Sequence, residues 1–280
     1  MTILDQQPTG EGTAVRGGPP PNALAAAYRL ARYHLTLYRK TWHGTLFSAT
    51  LMPMLYLVTF GVAVGAYVDD GLLPGGVSYL QFVLPGTLCA MVLMMMNSDL
   101  TFPVFGGYKD WGGHYLSQHA SPARPVDILN GHMLYVLAFR VPFGCLLFTS
   151  VMLIFGVFAN PWMAPMAILA AIGVAASIAP WVFFLASWIK RDQNLVIVQR
   201  VILVPITLFS GVFFPASVMP SFLLPLVYAS PMWHGVEIAR YFTAGVETSW
   251  PMWTNVVYLV ALATAGWFAA RHIIYKRLSD

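Results

Sequence analysis

Few side chains in this 280-residue chain have both the type and the surroundings to do chemistry. Asp99 and Arg140 are ionisable groups inside long apolar runs. Such charges are costly in hydrocarbon and face a protein interior or a water-filled path. Two arrangements suit them: a pair or shared hydrated site, or separate snorkelling to the inner interface. A proton relay needs more carboxylates or histidines than surround them. Glu237 and Arg240 stand at i, i+3, a spacing that lets them pair on one helix face. His114 and His119 are five apart, not the four that puts two ligands on one face, so no metal site is expected. No lysine follows a glycine, which removes the phosphate loop G-x-x-x-x-G-K-[ST]. H-E-x-x-H and G-x-S-x-G are absent too. No catalytic residue is therefore assigned. Cys89 and Cys145 sit in apolar runs, against a disulfide framework.

The elements that must position these residues follow from composition. Apolar and aromatic residues make up 58% of the chain and charged residues only 9%. Soluble domains carry roughly 25% charged residues, so a soluble fold of this size could not cover its surface. Uncharged stretches of 28, 28, 49, 36 and 23 residues follow Lys40, Asp70, Arg140, Arg200 and Glu247. A helical span needs about 20 apolar residues. The runs are too long and continuous for the alternation of a membrane barrel. Six spans are predicted, at 44–66, 79–105, 129–156, 163–188, 199–214 and 250–271. Asn160-Pro161 supplies the turn between the third and fourth. With the N-terminus inside, 13 of the 15 lysines and arginines fall at the cytoplasmic side, as the positive-inside rule demands. Asp99 and Arg140 then lie about six and eleven residues above the inner ends of spans two and three. Their depths differ by roughly 8 Å at ~1.5 Å per residue.

Residues 1–22, with Pro19-Pro20-Pro21 and no apolar core, are expected to be a disordered cytoplasmic tail. A helix over 23–41 follows, with Asn22 as cap. Leu24, Ala27, Tyr28, Ala31, Leu35, Tyr38 and Trp42 share one sector of it, with Arg29, Arg32, Arg39 and Lys40 beside them. That pattern suits an amphipathic helix at the inner membrane surface, either a basic anchor or a surface for a partner. The longest cytoplasmic connection is 106–127. There Trp111, Tyr115 and Leu116 could form a short amphipathic helix that a soluble protein could grip. Lys190 to Asn194 reads as a solvated turn. In 210–249, Pro215, Pro220, Pro225 and Pro231 break the helix while the segment stays apolar. Broken backbone at membrane depth survives only when packed on protein or a cavity. A pair of short re-entrant or interfacial helices is expected there. Tryptophans and tyrosines flanking the spans act as interface anchors, which leaves no platform for nucleic acid.

Three patches carry a resemblance. Tyr79-Leu80 with Pro85-Gly86 opens span two. Pro122-x-Arg124-x-x-Asp127-Ile128-x-x-Gly131 leads into span three. Leu208-Phe209-Ser210-Gly211-Val212-Phe213-Phe214-Pro215, Pro220 and Pro231-Met232-Trp233-His234-x-x-Glu237-x-x-Arg240 follow span five. Over about 23–277 the chain resembles the ABC-2 family of ABC-transporter membrane subunits, on the side of the nodulation lipo-oligosaccharide and daunorubicin exporter permeases. The resemblance implies an all-α integral membrane protein. It would have six transmembrane helices over 42–277, an N-terminal amphipathic interfacial helix over 23–41, and short re-entrant external helices over 215–247.

It further implies a non-catalytic subunit in a bacterial inner membrane, both termini cytoplasmic, paired with a second permease copy and contacting membrane lipid. A separate ATPase chain would hold ATP and Mg. Lys109, Asp110, Trp111, His114, Tyr115, Leu116 and Arg124 would form or flank the ATPase-coupling contact. Gly112-Gly113 makes that segment less helix-prone than the family pattern. Met52, Tyr56 and Phe60 from span one, and Ile202, Leu208 and Phe209 from span five, would line a path for lipid-like, glycolipid or drug substrates. Pro215, His234, Glu237 and Arg240 would mark the external element. The reading from another class is a stand-alone channel or secondary carrier, for which no internal repeat is evident.

Overall fold

The computed structural model describes residues 22–67, 73–109 and 112–279. The expected tail, apart from Asn22, lies outside them, as do Asp110 and Trp111 and the side chains of Met52 and Ile202. The described residues are helical, with no strand among them. In chain order α1 is Ala23–Tyr56, α2 Tyr79–Gly107, α3 His114–His119, α4 Pro125–Ile154, α5 Pro161–Trp188 and α6 Asp192–Leu208. After these, α7 is Leu224–Tyr228, α8 Pro231–Ala244 and α9 Met252–Ser279. Among the described residues α2, α4, α5 and α9 are long and apolar enough to cross a membrane.

Local chemistry explains the boundaries. Ser78 caps α2: its hydroxyl accepts from the Gln81 N–H while the Gln81 side chain accepts from the Ser78 N–H, both at 3.3 Å. Asp127 supplies one half of such a box to α4. The Asp127 carboxylate accepts from the Arg124 backbone at 3.1 Å and from its guanidinium at 3.0 and 3.1 Å. The chain turns between α4 and α5 where the Asn160 side chain accepts from the Trp162 N–H. Two wide π-helical turns interrupt the spans, Asn97–Thr101 in α2 and Val136–Arg140 in α4. Each ends just ahead of a proline, Pro103 and Pro142. Proline offers no N–H to the carbonyl four residues back and crowds it, so the ladder slips a residue.

Three expectations are corrected. The interfacial helix does not end near 41: α1 runs 34 residues without interruption and continues as a π-helical stretch, Leu57–Val64. Nothing between 41 and 44 supplies a breaker, since Gly44 alone costs only about 1 kcal/mol in a helix. Its buried stripe is Ala27, Ala31 and His34, while Leu24 and Tyr28 are exposed. The fifth helix begins at Asp192, inside the expected solvated turn, and stops at Leu208. The sixth continues to Ser279 rather than ending near 271.

The bundle is built by close crossings. Alanine-lined α1 lies along α4, and α9 and α8 both pack on α5, with α8 reaching α2. At the first crossing a Cβ on Gly131 would stand 2.5 Å from the Leu30 Cβ and 3.0 Å from the Ala27 carbonyl oxygen. Small residues let helix backbones approach in this way. Gly131→Ala is therefore expected to lower stability by about 1–3 kcal/mol through overpacking. Gly44→Ala, which meets nothing within 4 Å, leaves stability unchanged or raised. Thermal unfolding in detergent micelles compares the two.

Candidate functional site

At one end of the bundle the short helix α3 is tied to the spans by one ring. Gly113, in the left-handed region at φ 47°, sets its start. Tyr115 then drops between α2, α4 and α5 and is fully buried. Gly107 leaves room for it, because a Cβ there would come within 2.6 Å of the Tyr115 ring. The Tyr115 hydroxyl lies 2.5 Å from His132 Nδ1, and His132 Nε2 lies 3.2 Å from the Asp99 carbonyl oxygen. A carbonyl can only accept, so the two contacts together select one tautomer. Tyr115 donates to Nδ1, and Nε2–H donates to the carbonyl that Pro103 deprives of its helical partner. His34 of α1 stacks on His132 with ring centres 4.1 Å apart. Burial, and then His114, push His34 down to about 3, so its ring is neutral. Burial also lowers His114.

This geometry sorts the residues expected at an ATPase contact. Tyr115 is turned away from solvent, because its ring and hydroxyl find partners inside the bundle. Leu116, with Ser117 and His119 beyond it, forms the outward face of α3. Lys109 donates to the Lys190 carbonyl at 2.9 Å, tying the loop to the α5–α6 junction. Arg124 serves the start of its own helix. His114 stacks against Tyr33 of α1. His34 and His132 are members that sequence reading passed over, since a lone histidine on an apolar helix carries no signal of what it meets.

Asp99 and Arg140 meet. Their side chains form an ion pair at 2.7 Å between the two π-helical turns. The Arg140 guanidinium also stands over the Tyr38 ring, 5.1 Å from its centre. The pair forms one wall of a cavity of about 600 Å³ that opens beside α1. Of the residues expected along a substrate path, Tyr56 and Phe60 stack on each other, and Phe60 packs on Phe213 and Tyr79. Phe209 lines a separate cavity of about 320 Å³ with Val201, Pro205 and Leu226. Leu208 is exposed.

At the other end, Arg240 is buried rather than paired with Glu237 across a helix face. Its Nε donates to the Phe82 carbonyl at 2.9 Å, and one Nη donates to the carbonyls of Gly211 and Val212 at 2.7 and 2.9 Å. Its plane lies 3.6 Å from the centre of the Phe82 ring. Gly211 takes φ 73°, where a side chain would be strained. The turn after α6 thus exposes two carbonyls, and the guanidinium fork satisfies both. Glu237 instead accepts from the Ser249 N–H at 2.6 Å. His234 bridges the Tyr228 carbonyl and the Asn255 side chain at 3.0 and 2.7 Å. Pro215 begins the single-turn helix 216–218.

A bundle of long apolar helices, with a buried charge pair and proline-broken segments, is a polytopic membrane protein. The model of the ABC-2 type transporter family matches residues 26–243, and the chain belongs to that family. It is thus the membrane subunit of an ABC transporter, and membership implies association with an ABC ATPase. An inner membrane transport permease, YadH, of Escherichia coli K12 is 25% identical over 82% of this chain and 88% of its own length. A daunorubicin resistance ABC transporter permease protein, DrrB1, of Streptomyces coeruleorubidus is 26% identical over 94% of this chain and 89% of its own.

Two outcomes are expected. Arg240→Ala leaves three buried carbonyls without their donor and should cost about 3–5 kcal/mol, read as a lowered unfolding midpoint in detergent. His34 takes up a proton near pH 6.5 when unfolded but only near 3 when folded. Its neutral burial therefore stabilises the fold above pH 6.5, and that stability falls as pH drops toward 3. Between pH 7 and 5 the loss is about 2 kcal/mol. Replacing His34 with Gln should flatten that slope.

Proposed function

We propose that this chain is the permease subunit of an ATP-driven exporter. It moves lipid-like, glycolipid or lipo-oligosaccharide, or hydrophobic drug substrates from the cytoplasm or inner leaflet outward. In this reading six helices span the membrane, the later part of α1 and α6 joining the four long ones. Both termini face the cytoplasm, following the lysines and arginines. Two copies assemble with two ATPase subunits that carry ATP and Mg. The permease and drug-resistance names of the two relatives support transport and bear on substrate class. The exposed Val201 and Leu208 of α6 suit contact with a second copy.

The observation that carries the reading is the anchoring of α3. A soluble partner grips its outward face at Leu116 and His119, and Tyr115 passes the push inward. From Tyr115 the contact runs through His132 in α4 to the backbone of Asp99 in α2. A displacement of α3 therefore moves two spans at their π-helical turns rather than a loose loop.

Co-expression with the cognate ATPase tests this. Leu116→Glu should abolish co-purification while the permease still folds. Tyr115→Phe keeps the ring but deletes the hydroxyl, so it should retain the ATPase and lose most substrate-stimulated hydrolysis. Full coupling in Tyr115→Phe removes the proposed transmission. Substrate transport in liposomes without any ATPase points to a channel or secondary carrier instead.

A further inference from the structure

The cavity beside α1 is polar where a membrane protein is otherwise apolar. Lys40, Arg140 and Asp99 line it together with His34, Tyr38 and Tyr135. Arg140 is only 8% exposed, yet its second guanidinium nitrogen Nη1 finds no partner among the described residues. The Tyr38 hydroxyl and His34 Nε2 are likewise buried and unpartnered. Unsatisfied buried donors of this kind are rare and call for an explanation. Two of these, Arg140 Nη1 and the Tyr38 hydroxyl, are donors that face one space and mark a site for an acceptor, alongside the unpartnered Asp99 Oδ2. The formal charge of the lining says which. Lys40 and Arg140 contribute two positive charges, Asp99 one negative, and the buried lining histidine His34 is neutral. One monoanion brings the sum to zero.

Position narrows the source. Lys40 is the last cation of α1 before 28 uncharged residues. That changeover from charged to apolar sequence lies at headgroup depth, where lysine and arginine meet the membrane interface. The mouth of the cavity, at Lys40, Thr41 and Gly44, thus opens at the level of the phosphates. We propose that this cavity binds the phosphodiester headgroup of an anionic phospholipid. Arg140 and Lys40 hold the phosphate oxygens, Tyr38 donates a further bond, and the acyl chains lie outside along α1. Asp99 orients the Arg140 fork and lowers the net attraction, which keeps the lipid exchangeable. The site acts without any ATPase, so it stands apart from the export reading.

Equilibrium binding of a pyrene-labelled phosphatidylglycerol to the purified full-length chain in neutral detergent tests it. Dihexanoyl phosphatidylglycerol, dihexanoyl phosphatidylcholine and inorganic phosphate serve as competitors. The anionic lipid should compete about tenfold better than the neutral one, and inorganic phosphate should not compete at millimolar levels. Arg140→Gln and Lys40→Gln should each weaken binding by about tenfold, and Asp99→Asn should tighten it. Opposite signs for the two members of the ion pair separate lipid binding from a structural role. Lys40→Gln is exposed and keeps the test open if the Arg140 variant does not fold. Wild-type affinity in Lys40→Gln, or weakening in Asp99→Asn, overturns the proposal. Equal competition by inorganic phosphate makes the ligand a free anion and overturns the lipid assignment.

Discussion

Inside hydrocarbon no water is at hand to hydrogen-bond a stray carbonyl, so every interruption of a helix must find its donor within the protein. Three features of this bundle answer that requirement. Pro103 frees the Asp99 carbonyl, and His132 donates to it. The turn after α6 frees the Gly211 and Val212 carbonyls, and Arg240 donates to both. Ser210, just before that turn, donates back to the Ile206 carbonyl. His132 and Arg240 come from different helices than the carbonyls they serve, so these two repairs are also ties between helices, while the Ser210 bond is local. Removing a break and removing its donor are two halves of one change.

The same constraint explains the placement of charge. A π-helical turn widens the ladder by one residue and re-aims the side chains it carries. Asp99 and Arg140 both sit on such turns, and the turns face each other. Two prolines therefore bring an acid and a base into contact although their depths counted from the loops differ. Beyond this ion contact neither Asp99 Oδ2 nor the second guanidinium nitrogen of Arg140 has a hydrogen-bond partner among the described residues, and both face the cavity.

Much of this was legible in residue order. The gaps between charges locate α2, α4 and α5 to within a few residues, because charge is excluded from them on energetic grounds. Tyr79-Leu80 marks the start of α2, and the run of prolines from Pro215 foretells the broken segment. The inward turn of Tyr115 was not legible: an aromatic on a short amphipathic helix reads equally well as a docking residue, and only the space over Gly107 decides. Arg240 was missed for a similar reason. Its i, i+3 spacing to Glu237 is a local signal, whereas its partners lie 28 to 158 residues away. The continuity of α1 went unread because a change from charged to apolar composition looks like a boundary, although the backbone has no cause to break there.

That unbroken α1 has a mechanical meaning. Its 34 residues form a stiff rod about 51 Å long at ~1.5 Å per residue. One end carries Arg29, Arg32, Arg39 and Lys40, and the other is uncharged and apolar. It rests on α4, with its close crossing at Gly131 near its N-terminal end, which is the natural pivot. Pivoting by about 5° at Leu30 displaces the far end at Tyr56, about 39 Å away, by about 3 Å. A separate surface helix joined by a flexible elbow would dissipate that motion. A single rod converts a small tilt at its N-terminal end into a lateral step of its far end.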